Sequence, residues 1–210
     1  MKKLLTISLF AALLSSCTAY QAVYDISMSE VERPLTAQER YGEYVISKND
    51  SLQKFTYEDD MITSIFIVGD KQIAFEMTNK TDHTIKINWD EAAYIDVNGS
   101  TSKVIHSGIR YMDKAAPQAP SVIIKGAKLN DIIAPTDYIY YSEGWKSKNL
   151  LVNFGYDAEA LKSASQTNVG KSIRVLIPIV IEDVQNDYLL TFNISNAEIK
   201  TTKGVVLTWE

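Results

Sequence analysis

Residues 61–78 read MITSIFIVGDKQIAFEMT and predict two antiparallel strands joined by a short loop. Met61 to Val68 is rich in β-branched and aromatic residues, and Gln72 to Thr78 alternates polar with apolar side chains. A period of two places one face of a strand in a core and the other toward water. Gly69-Asp70-Lys71 between the runs has the length and composition of a hairpin loop. This stretch therefore favours an antiparallel sheet.

The same pattern extends in both directions. The residues from Ile85 to Trp89 alternate in the same way, and Asn98-Gly99 is a strong signal for a tight hairpin turn. Further strands are predicted over residues 55–57, 94–97, 103–106, 121–124, 129–133, 137–142, 173–181, 188–194, 197–200 and 205–209. One helix is predicted, with Asp157 as its N-cap, continuing through residues 158–162 and ending by Gly170. The fold class is therefore all-β, an antiparallel β-sandwich with at most one short helix.

Pro178 lies inside the apolar run from Ile173 to Ile181. Proline has no backbone N–H and cannot donate to a sheet ladder. We therefore expect this strand to lie at an edge or to be bulged at Pro178.

The chain begins with a pattern that resembles a bacterial lipoprotein signal with its lipobox. Lys2 and Lys3 precede the apolar run Leu4 to Leu14, which leads into Leu14-Ser15-Ser16-Cys17. The resemblance implies cleavage before Cys17 and acyl chains on this cysteine. The alternatives are a transmembrane helix and an ordinary signal cut after Ala19. Eleven helical residues rise only about 16 Å, well short of the roughly 30 Å hydrocarbon core, which disfavours the transmembrane helix.

The domain organisation follows from this signal. We expect a signal peptide over residues 1–16, a tether over 17–41 and a β-sandwich domain over 42–210. The alternative for the tether is that Tyr20, Val23, Tyr24 and Ile26 pack on the domain as a first strand. Cys17 is the chain's one cysteine, so its lipidation would leave none for a disulfide.

Charge and the residue after Cys17 limit partners and location. Removal of Lys2 and Lys3 with the signal takes the formal net charge from −5 to −7, which argues against nucleic acid as a partner. Thr18 is not the aspartate that retains lipoproteins in the inner membrane of many Gram-negative bacteria. The expected location is the bacterial cell envelope, at the periplasmic face of the outer membrane.

Two further segments resemble a known group of proteins. The run from Ala74 to Tyr111, with FEMTNKT at 75–81 and VIHSG at 104–108, is similar to uncharacterised bacterial envelope lipoproteins with an immunoglobulin-like domain. GKSIRVLIPI at 170–179 is similar to the closing segment of the same group. The resemblance implies a fold and a location, and it implies no activity.

Candidates for chemistry are few. His83 lies in a polar turn, and His106 precedes Ser107, but neighbouring strand residues point to opposite faces and cannot readily share a proton. The acidic runs Glu58-Asp59-Asp60 and Asp90-Glu91 are interpreted as solvated turns, since no calcium-loop pattern surrounds them. The sequence predicts no catalytic residue, no metal ligand and no cofactor.

The aromatic residues carry the binding potential. Tyr138, Tyr140, Tyr141 and Trp145 are candidate partner-binding residues, because such rings anchor interfaces and stack on sugars. The alternative is that they pack in the core. We expect a lipid-anchored, non-enzymatic module that binds an envelope protein or polysaccharide. The alternatives are an envelope hydrolase or carbohydrate-active enzyme, and a structural subunit with a long unpaired edge strand.

Overall fold

The computed structural model describes residues 18–33, 42–49, 54–204 and 207. Its strands and its helix, α1, are numbered in chain order. They are β1 Tyr20–Glu32, β2 Val45–Asn49, β3 Lys54–Glu58, β4 Ile62–Val68, β5 Ile73–Asn79, β6 Ile85–Ile87, β7 Ala93–Ile95, β8 Thr101–Ile105, β9 Ser121–Ile123, β10 Lys128–Pro135, β11 Ile139–Tyr141, β12 Trp145–Ser147, β13 Phe154–Gly155, α1 Ala158–Gln166, β14 Ser172–Ile181 and β15 Val184–Thr201.

The strands form an antiparallel sheet of thirteen, with β11 and β12 as a separate two-stranded hairpin. The main order is β13-β1-β15-β14-β7-β8-β10-β5-β4-β3-β2, and β6 and β9 extend from β14. The predicted all-β antiparallel class is confirmed. Asp157 caps α1 as predicted, since its carboxylate accepts a hydrogen bond from the Ala160 N–H at 3.0 Å.

The sheet curls so that β3 and β4 face β15 across the core. The Phe192 ring lies 5.7 Å from Phe55 and 6.0 Å from Phe66, and the Tyr57 ring lies 5.9 Å from Tyr188. These side chains are almost fully buried. Large rings remove much apolar area from water, so this contact between the two halves is a major source of stability.

The first strand corrects the predicted tether. Tyr20–Glu32 pairs along its length with β15, as the strand alternative required, so the tether over residues 17–41 is wrong for this part. Ala22, Ile26 and Met28 are buried at even spacing, but a register shift after Met28 moves the next buried residue to Val31. That shift interrupts the period-two pattern in the sequence. Residues 34–41 lie outside the described residues.

The prediction that the strand lies at an edge or is bulged at Pro178 is also wrong, since its pairing with β15 continues through Pro178 without a register shift. β14 is an inner strand, with β15 along one side and both β6 and β7 along the other. Pro178 lies opposite the gap between β6 and β7, and its carbonyl accepts from the Asn88 N–H at 3.0 Å. No ladder partner faces the missing N–H there, so an inner strand tolerates the proline.

The two strands at the ends of the main order are short. β2 has five residues and β13 has two. The curl brings β2 beside β1, where the Lys48 ammonium lies 3.1 Å from the Asp25 carboxylate.

Among the described residues, no helix is long and apolar enough to cross a bilayer. The predicted strand over 205–209 falls mostly outside the described residues, although the Leu207 N–H donates to the Ile199 carbonyl in β15 at 3.0 Å.

Candidate functional site

The β11–β12 hairpin carries three of the four predicted binding residues on a surface outside the main sheet. Tyr141 pairs with Trp145 and Tyr140 with Lys146 across the two strands. The turn depends on Gly144, which has a φ of 133°, and the Ser142 N–H donates to the Gly144 carbonyl at 2.8 Å. Glycine adopts such a φ without steric cost, so the turn holds the two rings opposite each other.

The base of the hairpin is fixed to the core. Ile139 is buried against Ile105 and Ala134. The Lys114 ammonium donates to the carbonyls of Thr136 and Ile139, at 2.7 and 2.5 Å. A charged donor shared by two carbonyls holds the chain in place where the hairpin leaves the sheet.

The tip of the hairpin presents aromatic rings to solvent. Tyr141 is 70% exposed, Trp145 43% and Tyr140 41%. The Tyr141 and Trp145 rings lie 5.6 Å apart at 78°, an edge-to-face arrangement. Rings in this geometry offer flat apolar faces and polar tips to a partner, and Tyr and Trp are the residues most enriched at the energetic centres of interfaces.

Tyr138 does not join this group. It is half-buried, and its ring packs 5.8 Å from that of Tyr94. Burial raises the pKa of the Tyr138 phenol. Of the four candidates from the sequence, Tyr140, Tyr141 and Trp145 lie on one exposed hairpin, whereas Tyr138 packs against the core.

A second exposed aromatic pair was missed by the sequence analysis. Phe154 and Tyr156 are 51% and 69% exposed, and their rings lie 5.3 Å apart at 83°. Phe154 belongs to β13, which pairs with the first residues of β1. The sequence feature that could have indicated this pair is the alternation of apolar residues at Val152, Phe154 and Tyr156.

The acidic run at 58–60 is only partly the solvated turn that was predicted. Asp59 is buried, and one carboxylate oxygen accepts from Arg33 at 3.2 Å and from the hydroxyls of Tyr57 and Tyr188 at 2.8 and 3.0 Å. Its other oxygen accepts two backbone N–H groups, from Met61 and from the next residue. Both carboxylate oxygens are fully hydrogen-bonded, so this cluster links the residue that follows β1 to β3 and β15 and has a structural role.

The histidines are placed as follows. His83 is exposed and lies 3.1 Å from the Glu182 carboxylate. The His106 ring stacks on Trp89, with centroids 4.6 Å apart, and its Nδ1 lies 3.3 Å from the Asp131 carboxylate. The Ser107 group that approaches Asp131 is its backbone N–H, at 2.7 Å. In the described part of the chain, this histidine–carboxylate pair is joined by no hydroxyl hydrogen-bonded to the ring.

A cavity of about 160 Å³ lies between β1 and the turn joining β4 to β5. Asp70 and Asn153 line it, and the Asn153 amide donates to the Asp70 carboxylate at 2.6 Å. The polar side chains of Asp70 and Asn153 in this cavity are thus hydrogen-bonded to each other.

Over residues 18–33, 42–49, 54–204 and 207, no three His, Cys, Asp or Glu side chains cluster as metal ligands would.

Cys17, the predicted lipid-attachment residue, lies outside the described residues, as does the rest of the signal. Comparison of the chain with protein-family models, with curated proteins and with solved structures found no match.

Proposed function

We propose that this chain is a lipid-anchored, non-enzymatic lipoprotein of the bacterial cell envelope, and that its β11–β12 hairpin binds an envelope protein or polysaccharide. The observation that carries the binding proposal is the exposed edge-to-face pair of Tyr141 and Trp145. A buried pair would serve packing alone. An exposed pair on a fixed base is costly to leave in water and is typical of a contact surface.

The fixed base strengthens the proposal. Binding that must order a flexible loop loses free energy to that ordering. Here Ile139 is in the core, and Lys114 holds the carbonyls at the start of β11. The rings therefore need little rearrangement to meet a partner.

The anchor is proposed from the sequence. The lysines at 2 and 3, the apolar run and Leu14-Ser15-Ser16-Cys17 are typical of a lipoprotein signal. One acyl chain gives marginal membrane binding, whereas two or more give a lasting anchor. The proposed location is the periplasmic face of the outer membrane.

The finer fold assignment is part of the same proposal. The contact of β3 and β4 with β15 through aromatic rings supports an immunoglobulin-like β-sandwich. The resemblance of residues 74–111 and 170–179 to envelope lipoproteins with such a domain supports it as well.

The anchor is tested by mass spectrometry of the mature N-terminal peptide from membranes. We expect Cys17 as the first residue, carrying acyl chains, and we expect Cys17→Ala to leave the membrane fraction or to stay unprocessed. A mature N-terminus elsewhere, or an unmodified Cys17 thiol, would refute the anchor.

The binding surface is tested with a hairpin variant, Tyr141→Ala with Trp145→Ala. The matched control is Val122→Ala with Ile124→Ala, which also removes two exposed apolar side chains but from another surface. In-cell cross-linking with mass spectrometry identifies protein partners, and co-sedimentation with isolated peptidoglycan tests a polysaccharide. If the rings form the centre of the interface, the hairpin variant should bind about 30-fold or more weakly and the control should bind normally. Equal binding by both variants would refute the proposal.

A further inference from the structure

The sheet holds the chain almost up to the proposed lipid anchor. The Thr202 N–H donates to the Ala19 carbonyl at 3.0 Å, and Tyr20 pairs with Thr201 on one side and with Gly155 on the other. Only Thr18 separates Ala19 from Cys17. Two residues reach at most about 7 Å, so a lipid on Cys17 would hold this end of the domain at the membrane surface.

The same end of the domain carries the second aromatic pair. Phe154 pairs with Gln21, the second residue of β1, and Tyr156 stacks edge-to-face on Phe154. Both rings are more than half exposed. Lys203, also exposed, lies in the turn that follows β15 and therefore beside the start of β1.

We propose that the surface formed by Phe154, Tyr156 and Lys203, called here the anchor-end surface, lies in the lipid headgroup layer when Cys17 is acylated. This inference rests on the proposed lipid attachment. Aromatic rings with one polar edge are enriched at the membrane–water interface, and lysine extends its ammonium to headgroup phosphates. The occupant of the anchor-end surface is therefore lipid.

Chain length is what selects lipid over a protein partner. With the tether predicted from sequence, the domain could stand roughly 25 Å from the bilayer and this surface would face the periplasm. With β1 starting at Tyr20, the domain has no such freedom. The chain's overall negative charge does not attract anionic headgroups, so the aromatic rings supply the attraction. The nearby Asp157 carboxylate is engaged in capping α1, as the Ala160 N–H shows.

The test measures the depth of two positions, one in the anchor-end surface and one at the start of β15, far from that surface. Tyr156→Cys and Val184→Cys are made in the full chain, and each is labelled with an environment-sensitive fluorophore. Val184 is exposed and begins β15, whereas the anchor-end surface lies where β15 ends, up to about 55 Å away at 3.3 Å per residue. The acylated sulfur of Cys17 cannot take the label.

Each labelled protein is placed in vesicles of phosphatidylethanolamine with a minor share of phosphatidylglycerol, containing lipids that quench near the headgroups. We expect quenching at position 156 to exceed quenching at 184 about threefold or more, since interfacial groups enter only about 5–10 Å. Replacing Phe154 by Ser should reduce quenching at 156 while the protein stays on the vesicles. Equal quenching at both positions would overturn the inference, and so would a probe at 156 shielded from water but not quenched by lipid.

Mass spectrometry of the same samples separates the two ways of failing. If Cys17 carries acyl chains and position 156 is not quenched, the anchor-end surface does not dock and the proposed anchor stands. If Cys17 is found labelled with the fluorophore, it was never acylated, and both proposals are overturned. Circular dichroism of each variant checks folding, which substitution at exposed positions should preserve.

Discussion

Asp59→Asn should be among the most damaging single substitutions in this protein, because it removes the charge on which a buried cluster depends. The carboxylate oxygen Oδ2 accepts from the Arg33 guanidinium at 3.2 Å and from the Tyr57 and Tyr188 hydroxyls. The side chains of the ion pair are 7% and 0% exposed for Arg33 and Asp59. The asparagine amide carries no negative charge, and if its NH₂ group occupies the position of Oδ2, it faces three hydrogen-bond donors and can accept from none of them.

The magnitude follows from these contacts. Breaking a buried ion pair by removing one partner costs about 3–5 kcal/mol, because the other charge stays buried and unpaired. Arg33 retains the Gly42 carbonyl at 3.1 Å and the face of Tyr44 at 4.9 Å, which offsets part of that cost. The two phenols each lose a hydrogen bond to a charged group. Because the three donors share one oxygen, their losses are not additive, and we expect a total near 4–5 kcal/mol.

The assay is urea unfolding of the purified protein, followed by circular dichroism. Glu58→Gln is the matched control: it removes the same charge one residue away, where the carboxylate is exposed and pairs with Lys80 at 2.8 Å. We expect the control to cost at most about 1 kcal/mol. If Asp59→Asn does not fold, Tyr188→Phe removes one donor only and should cost about 1.5–3 kcal/mol. A cost for Asp59→Asn no larger than that of the control would refute the cluster's role.

Three further outcomes are expected. Burial raises the pKa of the Tyr57, Tyr94 and Tyr188 phenols, so the folded state keeps protons that the unfolded chain releases near pH 10. The free energy of unfolding should therefore be constant just below pH 10. Above pH 10 it should fall by about 1.4 kcal/mol per pH unit for each phenol. Urea unfolding over a pH series measures this, and unchanged stability well above pH 10 would contradict it. Phe192→Ala should cost about 3–5 kcal/mol because the ring contacts Phe55 and Phe66, whereas Tyr141→Ala should cost about 1.5 kcal/mol or less by the same assay; similar costs would mean that the hairpin is part of the core. Asp157→Ala should lower stability by about 1 kcal/mol through loss of the α1 cap, with Asp157→Ser restoring most of it in thermal melts, and no loss in the alanine variant would argue against the cap.

Local patterns predicted the parts of the fold that local chemistry determines. The hairpin over residues 61–78 forms with Val68 opposite Ile73, and the Gly69 N–H closes its loop on the Gln72 carbonyl at 2.9 Å. The Asn98-Gly99 turn and the Asp157 cap were likewise readable, because the residues that make each feature are neighbours in the chain.

Features that depend on distant partners were not predictable in the same way. Asp59 has the sequence surroundings of a solvated turn, yet its partners Arg33 and Tyr188 lie 26 and 129 residues away. A register shift breaks the alternating pattern of β1, and the gap beside Pro178 is set by β6 and β7, which are distant in the chain. At the candidate site, the sequence does not distinguish Tyr138 from the three hairpin residues, and only the fold shows that Tyr138 packs on Tyr94 while the other three are exposed.

The pairing of β1 with β15 also constrains how the protein can be made. Residue 20 lies opposite residue 201, so the strand near the beginning of the chain has its main partner near the other end. Contacts between such distant residues form slowly, since a long loop must close before they are gained. Until β15 has emerged from the ribosome, β14 and β1 each lack the strand that pairs with them along their length. We therefore expect the domain to be completed only after β15 has been synthesised.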